Sequence, residues 1–113
     1  MKTTMLAALA AAFLASGTAS RLLADANDNW AHNCTSCHGP DGAGHTKAGR
    51  VKGVKDLSDP KYQLGFTDDQ AAARIKDGLK DPATGKEKMK AFGDKFSDAD
   101  IKALVAYVRS LQK

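Results

Sequence analysis

The stretch Cys34-Thr35-Ser36-Cys37-His38 is the most informative part of this sequence. Two cysteines three positions apart on a helical turn project from neighbouring positions, and a histidine follows them directly. This spacing is typical of c-type haem attachment, in which both thiols form thioethers with the haem vinyl groups. The adjacent imidazole then reaches the iron from one face of the ring. The stretch therefore predicts one covalently bound haem c, with thioethers at Cys34 and Cys37 and His38 as the proximal axial ligand.

Three other uses of a Cys-x-x-Cys pair fit this chain less well. A thioredoxin-like redox pair lies at a strand-to-helix junction of an α/β fold, and no alternating strand pattern is visible here. A structural zinc site needs four ligands, but the chain has two cysteines, and His32 and His45 lack the usual zinc spacing. A disulfide between Cys34 and Cys37 would be strained on a helix. A haemless thiol or zinc-binding module stays as an alternative that an absorption spectrum would separate from a haem protein.

The N-terminal segment has the pattern of a secretory signal. Lys2 precedes an apolar run at residues 5–15, and small residues follow it. The small-x-small stretch Ala24-Asp25-Ala26 predicts a signal peptide over residues 1–26, although Ala19 and Ser20 are earlier candidate cleavage positions. An uncleaved anchor is the alternative, but the run is shorter than the roughly 20 residues of a membrane helix. We therefore expect an exported, periplasmic location, with no stable membrane insertion once the signal is removed.

The remaining residues, 27–113, form one short domain. A chain of this length is marginally able to bury a self-sufficient core, and its two neighbouring cysteines cannot staple it. A haem would supply the missing core. The net charge of +4 comes without a basic run interleaved with aromatics, so we expect no nucleic-acid partner. A monomer is expected.

Three main helices are predicted in this domain. The first begins at Asn27 or Asp28, which would cap it, and runs towards Cys37. Residues 45–65 and 81–96 are predicted as loops, the former with a short turn of helix at most. Loops this long in a compact domain indicate a site that they surround. The fold class is therefore all-α, with long loops wrapped around the haem.

The second and third helices carry clear start signals. Thr67 with Gln70 three residues later forms a capping box, and Gly78 ends the second helix. Ser97 caps the third helix. The apolar residues of the third helix recur at helical spacing: Ile101, Leu104, Val105, Val108 and Leu111.

Met89 is the candidate for the sixth iron ligand. It is the one methionine after the signal segment, and charged neighbours at Glu87, Lys88 and Lys90 place it in a polar loop instead of an apolar face. Core filling is the usual role of a lone methionine. His45 lies close in sequence to the proximal ligand, and His32 is held on the attachment helix, so both reach the opposite face less easily.

These features resemble class I cytochrome c, the small periplasmic type with histidine and methionine ligands. The resemblance covers residues 27–113 and rests on Cys34–Gly42, on Met89 and on the ending Phe96–Leu111. It implies a cytochrome c-like fold in which the first and last helices cross, with Trp30 packed near Tyr107. Family members often have a proline directly after the ligand methionine, where this chain has Lys90. Many also have a proline whose carbonyl accepts the histidine N–H, and here the nearby proline is Pro40.

The resemblance implies a soluble one-electron carrier and not an enzyme. Axial ligation by His38 and Met89 leaves no open iron position for a substrate. Redox partner proteins such as an oxidase, a reductase or other cytochromes are expected, and four lysines near Met89 would attract an acidic partner surface: Lys86, Lys88, Lys90 and Lys95. The alternative is a haem-based sensor or peroxidase-like protein with a labile sixth ligand, for which His45 is the candidate distal group.

Overall fold

The computed structural model describes residues 21–113. Most of the predicted signal segment, residues 1–20, lies outside this part. Six helices and one two-stranded sheet make up the described fold. In chain order they are α1 (21–33), α2 (Thr35–His38), α3 (Lys47–Lys52), α4 (Pro60–Gln63), α5 (Asp68–Asp77), β1 (Leu79–Lys80), β2 (Glu87–Met89) and α6 (Asp98–Ser110). No helix in this described range is long and apolar enough to cross a membrane.

Helix α1 begins earlier than the sequence predicted. Residue 21 is already helical, so neither Asn27 nor Asp28 caps this helix in the chain as it stands. The prediction was wrong because the stretch before Asn27 is rich in leucine and alanine, which favour helix and continue it towards the N-terminus. Cys34 interrupts the regular helix, and α2 follows as a single turn that carries the attachment motif.

The region predicted as a loop at residues 45–65 contains two short helices. Thr46 caps α3 by accepting a hydrogen bond from the backbone N–H of Gly49. The Thr46 hydroxyl also donates to the backbone carbonyl oxygen of Cys37 at 2.8 Å. This pair of bonds joins the start of α3 to the attachment turn.

Helix α5 has the predicted ends, but the segment after it differs from the prediction. The capping box of Thr67 and Gln70 is present, and the helix ends at Gly78. Strands β1 and β2 then pair antiparallel within the region expected to be loop. Strands of two and three residues are too short for an alternating pattern to appear in the sequence. The hairpin is therefore visible only in the folded chain.

The core lies between α1, α6 and the segment before α6. Ser97 and Asp100 form a capping box for α6. The buried cluster consists of Trp30, Phe92, Phe96, Ile101, Leu104 and Val108. The ring centroids of Trp30 and Tyr107 are 5.4 Å apart, which confirms the expected packing of the first helix against the last.

Arg109 joins α6 to the segment around α4. Its guanidinium donates to the carbonyl oxygens of Gln63 at 2.6 Å and Phe66 at 2.7 Å, and to Oδ1 of Asp68 at 2.8 Å. It also lies 4.3 Å from the centroid of the Phe66 ring. Gln63 is 2% exposed, and its amide nitrogen donates to the carbonyl oxygen of Val108 at 2.8 Å. Arg109 and Gln63 thus hold residues 63–66 against α6.

Candidate haem site

A cavity of about 1030 Å³ opens between the attachment turn and the hairpin. Its lining includes all four residues proposed from the sequence as haem-binding: Cys34, Cys37, His38 and Met89. The two cysteines and the histidine come from the turn of α2, while the methionine comes from β2, about fifty residues later. The tertiary fold therefore brings the two candidate axial ligands to one space.

The attachment turn presents both thiols as helical geometry predicts. The backbone N–H of His38 donates to the carbonyl oxygen of Cys34 at 2.9 Å, which closes the turn. Both cysteines are half-buried, and no disulfide joins them. Burial, followed by the neighbouring Cys37, raises the pKa of the Cys34 thiol to about 11. A raised pKa is the opposite of the lowered thiol pKa that characterises thioredoxin-like redox pairs.

His38 lies in an environment that favours its neutral form. Burial lowers the pKa of its imidazole, and the neutral ring is the form that binds metals. Its Nδ1 is buried and has no hydrogen-bond partner among residues 21–113. Pro40 is exposed and does not supply the carbonyl acceptor considered above. A buried imidazole on a cavity wall fits an iron ligand better than a solvated surface histidine.

Met89 does not lie in a polar loop as expected. It ends β2, where its backbone pairs with Leu79, and its partly buried side chain packs against the core cluster. Its neighbours Glu87 and Lys88 are exposed. The sequence prediction failed because it treated charged neighbours as a sign of a loop, whereas successive residues of a strand point to opposite faces, so that Lys88 can be exposed while Met89 is partly buried. Core packing is thus a second reason for a methionine at this position.

The other two histidines lie away from the cavity. His45 and His32 are both exposed and are absent from the cavity lining. The ring Nδ1 of His32 lies 2.7 Å from the backbone carbonyl oxygen of Asp28 on the same helix. No cluster of three or more potential metal-ligating side chains is found within the described range. These placements do not support the zinc alternative, nor His45 as the distal group.

The rest of the lining fits a large, flat, mainly apolar group. Its apolar side chains come from every part of the domain and include Trp30, Val54, Leu57, Tyr62, Phe66, Ile75, Leu79, Phe92, Phe96, Leu104 and Val108. Sequence reasoning did not assign Leu57, Tyr62, Phe66 or Ile75 to the site. Their apolar character was a partial signal, but it does not separate them from Leu64, which is 88% exposed and does not line the cavity. Arg74 of α5 also lines the cavity and was likewise missed.

Comparison with known proteins agrees with this geometry. Residues 23–112 match the sequence model of the family described as Cytochrome c. The chain belongs to the cytochrome c family. This membership confirms the resemblance to cytochrome c and the all-α cytochrome c fold. It also makes the chain a member of a family of electron-transfer proteins that bind covalently attached haem.

Two similar proteins add detail to the family assignment. The chain is 37% identical over 84 residues to the Cbb3-type cytochrome c oxidase subunit FixP of Azorhizobium caulinodans. That alignment covers 73% of this chain but 27% of FixP, so the chain spans about a quarter of that relative's length. The solved structure of the KustC0563 c-type cytochrome is similar with a TM-score of 0.68 and 30% identity. There the match covers 77% of this chain and 96% of the other.

Proposed function

We propose that this chain is a one-electron carrier that holds one haem c through thioethers at Cys34 and Cys37. In this proposal His38 and Met89 bind the iron from opposite faces. The observation that supports it is the single cavity lined by all four side chains. Bound haem supplies a one-electron couple between ferrous and ferric iron.

Each proposed ligand has an environment suited to its role. Burial keeps His38 neutral, so its ring nitrogen is available to a metal without losing a proton first. The thioether of Met89 favours the ferrous state and raises the reduction potential relative to two histidine ligands. Two such ligands fill the axial positions, which favours an electron carrier over an enzyme. The apolar part of the lining would lower the polarity around the iron and so tune its reduction potential.

A sensor or peroxidase-like function is the alternative. Such a protein needs an open iron position and a polar distal group. His45 does not line the cavity, and Arg74, which does, is exposed on α5. The absorption spectrum of the purified protein separates the two functions, because a ferric haem with methionine ligation shows a weak charge-transfer band in the red that a five-coordinate haem lacks.

The attachment proposal is tested by replacing both cysteines. Cys34→Ala combined with Cys37→Ala is expected to give protein without haem after denaturing electrophoresis, while the parent chain keeps its haem. The matched control is Ser36→Ala, which lies between the cysteines and leaves both thiols in place. Haem that stays attached to the double variant under denaturing conditions would refute thioether formation at these residues.

We also propose that the protein is exported and exchanges electrons with respiratory partners as a monomer. FixP is by its name a subunit of a cbb3-type oxidase, which supports a respiratory oxidase as one partner. The structure bears on where the signal is cut, since Ala26 is 2% exposed within α1 and the family match starts at residue 23. Cleavage at Ala19 or Ser20 would keep residues 21–33 of α1, whereas cleavage after Ala26 would remove residues 21–26 of it. The intact mass of the exported protein distinguishes these positions.

A further inference from the structure

Gly78 ends α5 at the point where the chain turns back towards Met89. Its backbone has φ 74° and ψ −167°, a combination that is essentially restricted to glycine. Its N–H donates to the carbonyl oxygen of Arg74 at 2.9 Å. The residue therefore both closes the helix and directs the chain into β1.

The segment that carries Met89 passes very close to Gly78. A Cβ placed on this glycine would lie 2.5 Å from the carbonyl oxygen of Met89, 2.9 Å from the nitrogen of Ala91 and 3.1 Å from the carbonyl carbon of Lys90. All three atoms belong to the backbone, so no side-chain rotation can relieve the overlap. Only glycine permits this approach.

Backbone hydrogen bonds also join the end of α5 to the residues that follow Met89. The N–H of Phe92 donates to the carbonyl oxygen of Ile75 at 2.9 Å, and the N–H of Gly93 donates to that of Lys76 at 3.0 Å. Leu79 pairs with Met89 in the hairpin. The last turn of α5 and β1 thus hold residues 89–93 by their main chain, while the Met89 side chain faces the cavity and core.

We propose that Gly78 is a positioning residue for Met89, setting how far the methionine reaches towards His38 across the cavity. The proposal rests on the axial ligation proposed above. Because the contact is main chain to main chain, any side chain at residue 78 displaces residues 89–91 as a unit. The displaced methionine then binds iron only part of the time.

The test compares holoprotein variants by spectroscopy of the ferric state. Gly78→Ala is expected to weaken or remove the red charge-transfer band of methionine ligation, with haem still attached. Its apparent affinity for added imidazole should rise by about tenfold or more, since that affinity increases with the fraction of protein whose sixth position is open. Gly85→Ala is the matched control, because Gly85 has a similar φ of +70° in the same hairpin but open space around its Cβ.

A second variant covers the case in which Gly78→Ala fails to fold. A Cβ on Gly93 would lie 3.0 Å from the carbonyl oxygen of Lys76, with no positive φ, so Gly93→Ala strains the same contact more mildly. It should weaken the band in the same direction. The proposal would be overturned if Gly78→Ala and Gly93→Ala both left the band and the imidazole affinity unchanged. It would also be overturned if the control Gly85→Ala lost the band to the same extent. A parent protein without the band would instead refute methionine ligation itself.

Discussion

Cys34, His38 and Met89 are all uncharged in the cavity at neutral pH, for different reasons. Burial raises the pKa of Cys34 and lowers that of His38, so at neutral pH both groups are uncharged where they face the proposed haem site. This agrees with the cost of placing an ion in an apolar space. Met89 is uncharged at every pH, and its role therefore depends on position alone.

Replacing Met89 tests that role directly. Met89→Ala is expected to remove the red ferric band, lower the reduction potential and open the iron to added imidazole, because no other methionine lines the cavity. Met89→His should keep six-coordination at a lower potential. The readouts are the ferric spectrum and a redox titration. An unchanged ferric spectrum in Met89→Ala would show that another residue occupies the sixth position.

Between elements, stability depends on contacts that join distant parts of the chain. The α4 region supplies Leu57, Tyr62 and Phe66 to the cavity wall. Arg109 of α6 holds this region through hydrogen bonds to backbone carbonyls. Hydrogen bonds from a charged donor are stronger than neutral ones, and here they add to the packing of Leu57 and Phe66 against the core cluster.

Arg109→Ala is therefore expected to destabilise the holoprotein by about 2–3 kcal/mol, the usual cost of losing charged hydrogen bonds to partly buried acceptors. Arg109→Lys should recover only a small part, since an ammonium group cannot form the same fork. Lys102→Ala, on the exposed face of the same helix, is the control and should change stability little. Denaturant unfolding of the three variants measures the effect. A loss in Arg109→Ala no larger than the control would contradict it.

At the scale of the whole molecule, the core and the haem site share their residues. Trp30, Phe92, Phe96, Leu104 and Val108 belong both to the buried cluster and to the cavity lining. These residues therefore have apolar surface that faces the cavity and lacks protein neighbours there. A domain has a total stability of only ~5–15 kcal/mol, so lost packing on this scale is a large fraction of it. We therefore expect the fold to depend on a group that fills this space.

Removal of haem should consequently abolish cooperative unfolding. The double variant Cys34→Ala with Cys37→Ala, purified without haem, is expected to keep part of its helix content but to lose a sharp thermal transition. Circular dichroism and calorimetry measure the two properties. A haem-free chain with a transition as sharp and as enthalpic as that of the holoprotein would show that the polypeptide alone forms a sufficient core.

The charged side chains that line the cavity are mostly basic, and we call them its basic border. Lys88 and Lys90 of the predicted lysine group belong to it, together with Lys52, Lys55 and Arg74, against two acidic residues, Asp77 and Glu87. Lys95 donates instead to Oδ1 of Asn33 at 2.7 Å. These charges would attract an acidic partner and, equally, a small anionic oxidant.

Oxidation by ferricyanide should therefore slow as ionic strength rises, since salt screens the attraction. Combining Lys88→Glu with Lys90→Glu should lower the rate at low salt and flatten its salt dependence, whereas Lys102→Glu on α6 should have a smaller effect. Stopped-flow rates over a salt series measure this. A rate for the parent protein that is independent of ionic strength would refute a role for the basic border.

Much of the fold was predictable from local sequence. The capping box of Thr67, the start of α6 at Ser97 and the attachment turn at Cys34 are each set by residues within one helical turn. The helix dipole, side-chain caps and apolar spacing act over that same short range. Sequence therefore determined the helices α5 and α6, the family and the candidate haem attachment residues.

Only the tertiary structure decided which distant residues share the cavity. It put Met89 on a strand that contacts the core, directed the turn at Gly78 towards that strand, and brought Phe66 and Leu57 to the cavity wall. None of these placements has a local signal, because each depends on contacts between segments far apart in the chain. The proposed attachment chemistry is thus local to one turn of helix, whereas the cavity that would hold the haem is formed by the whole fold.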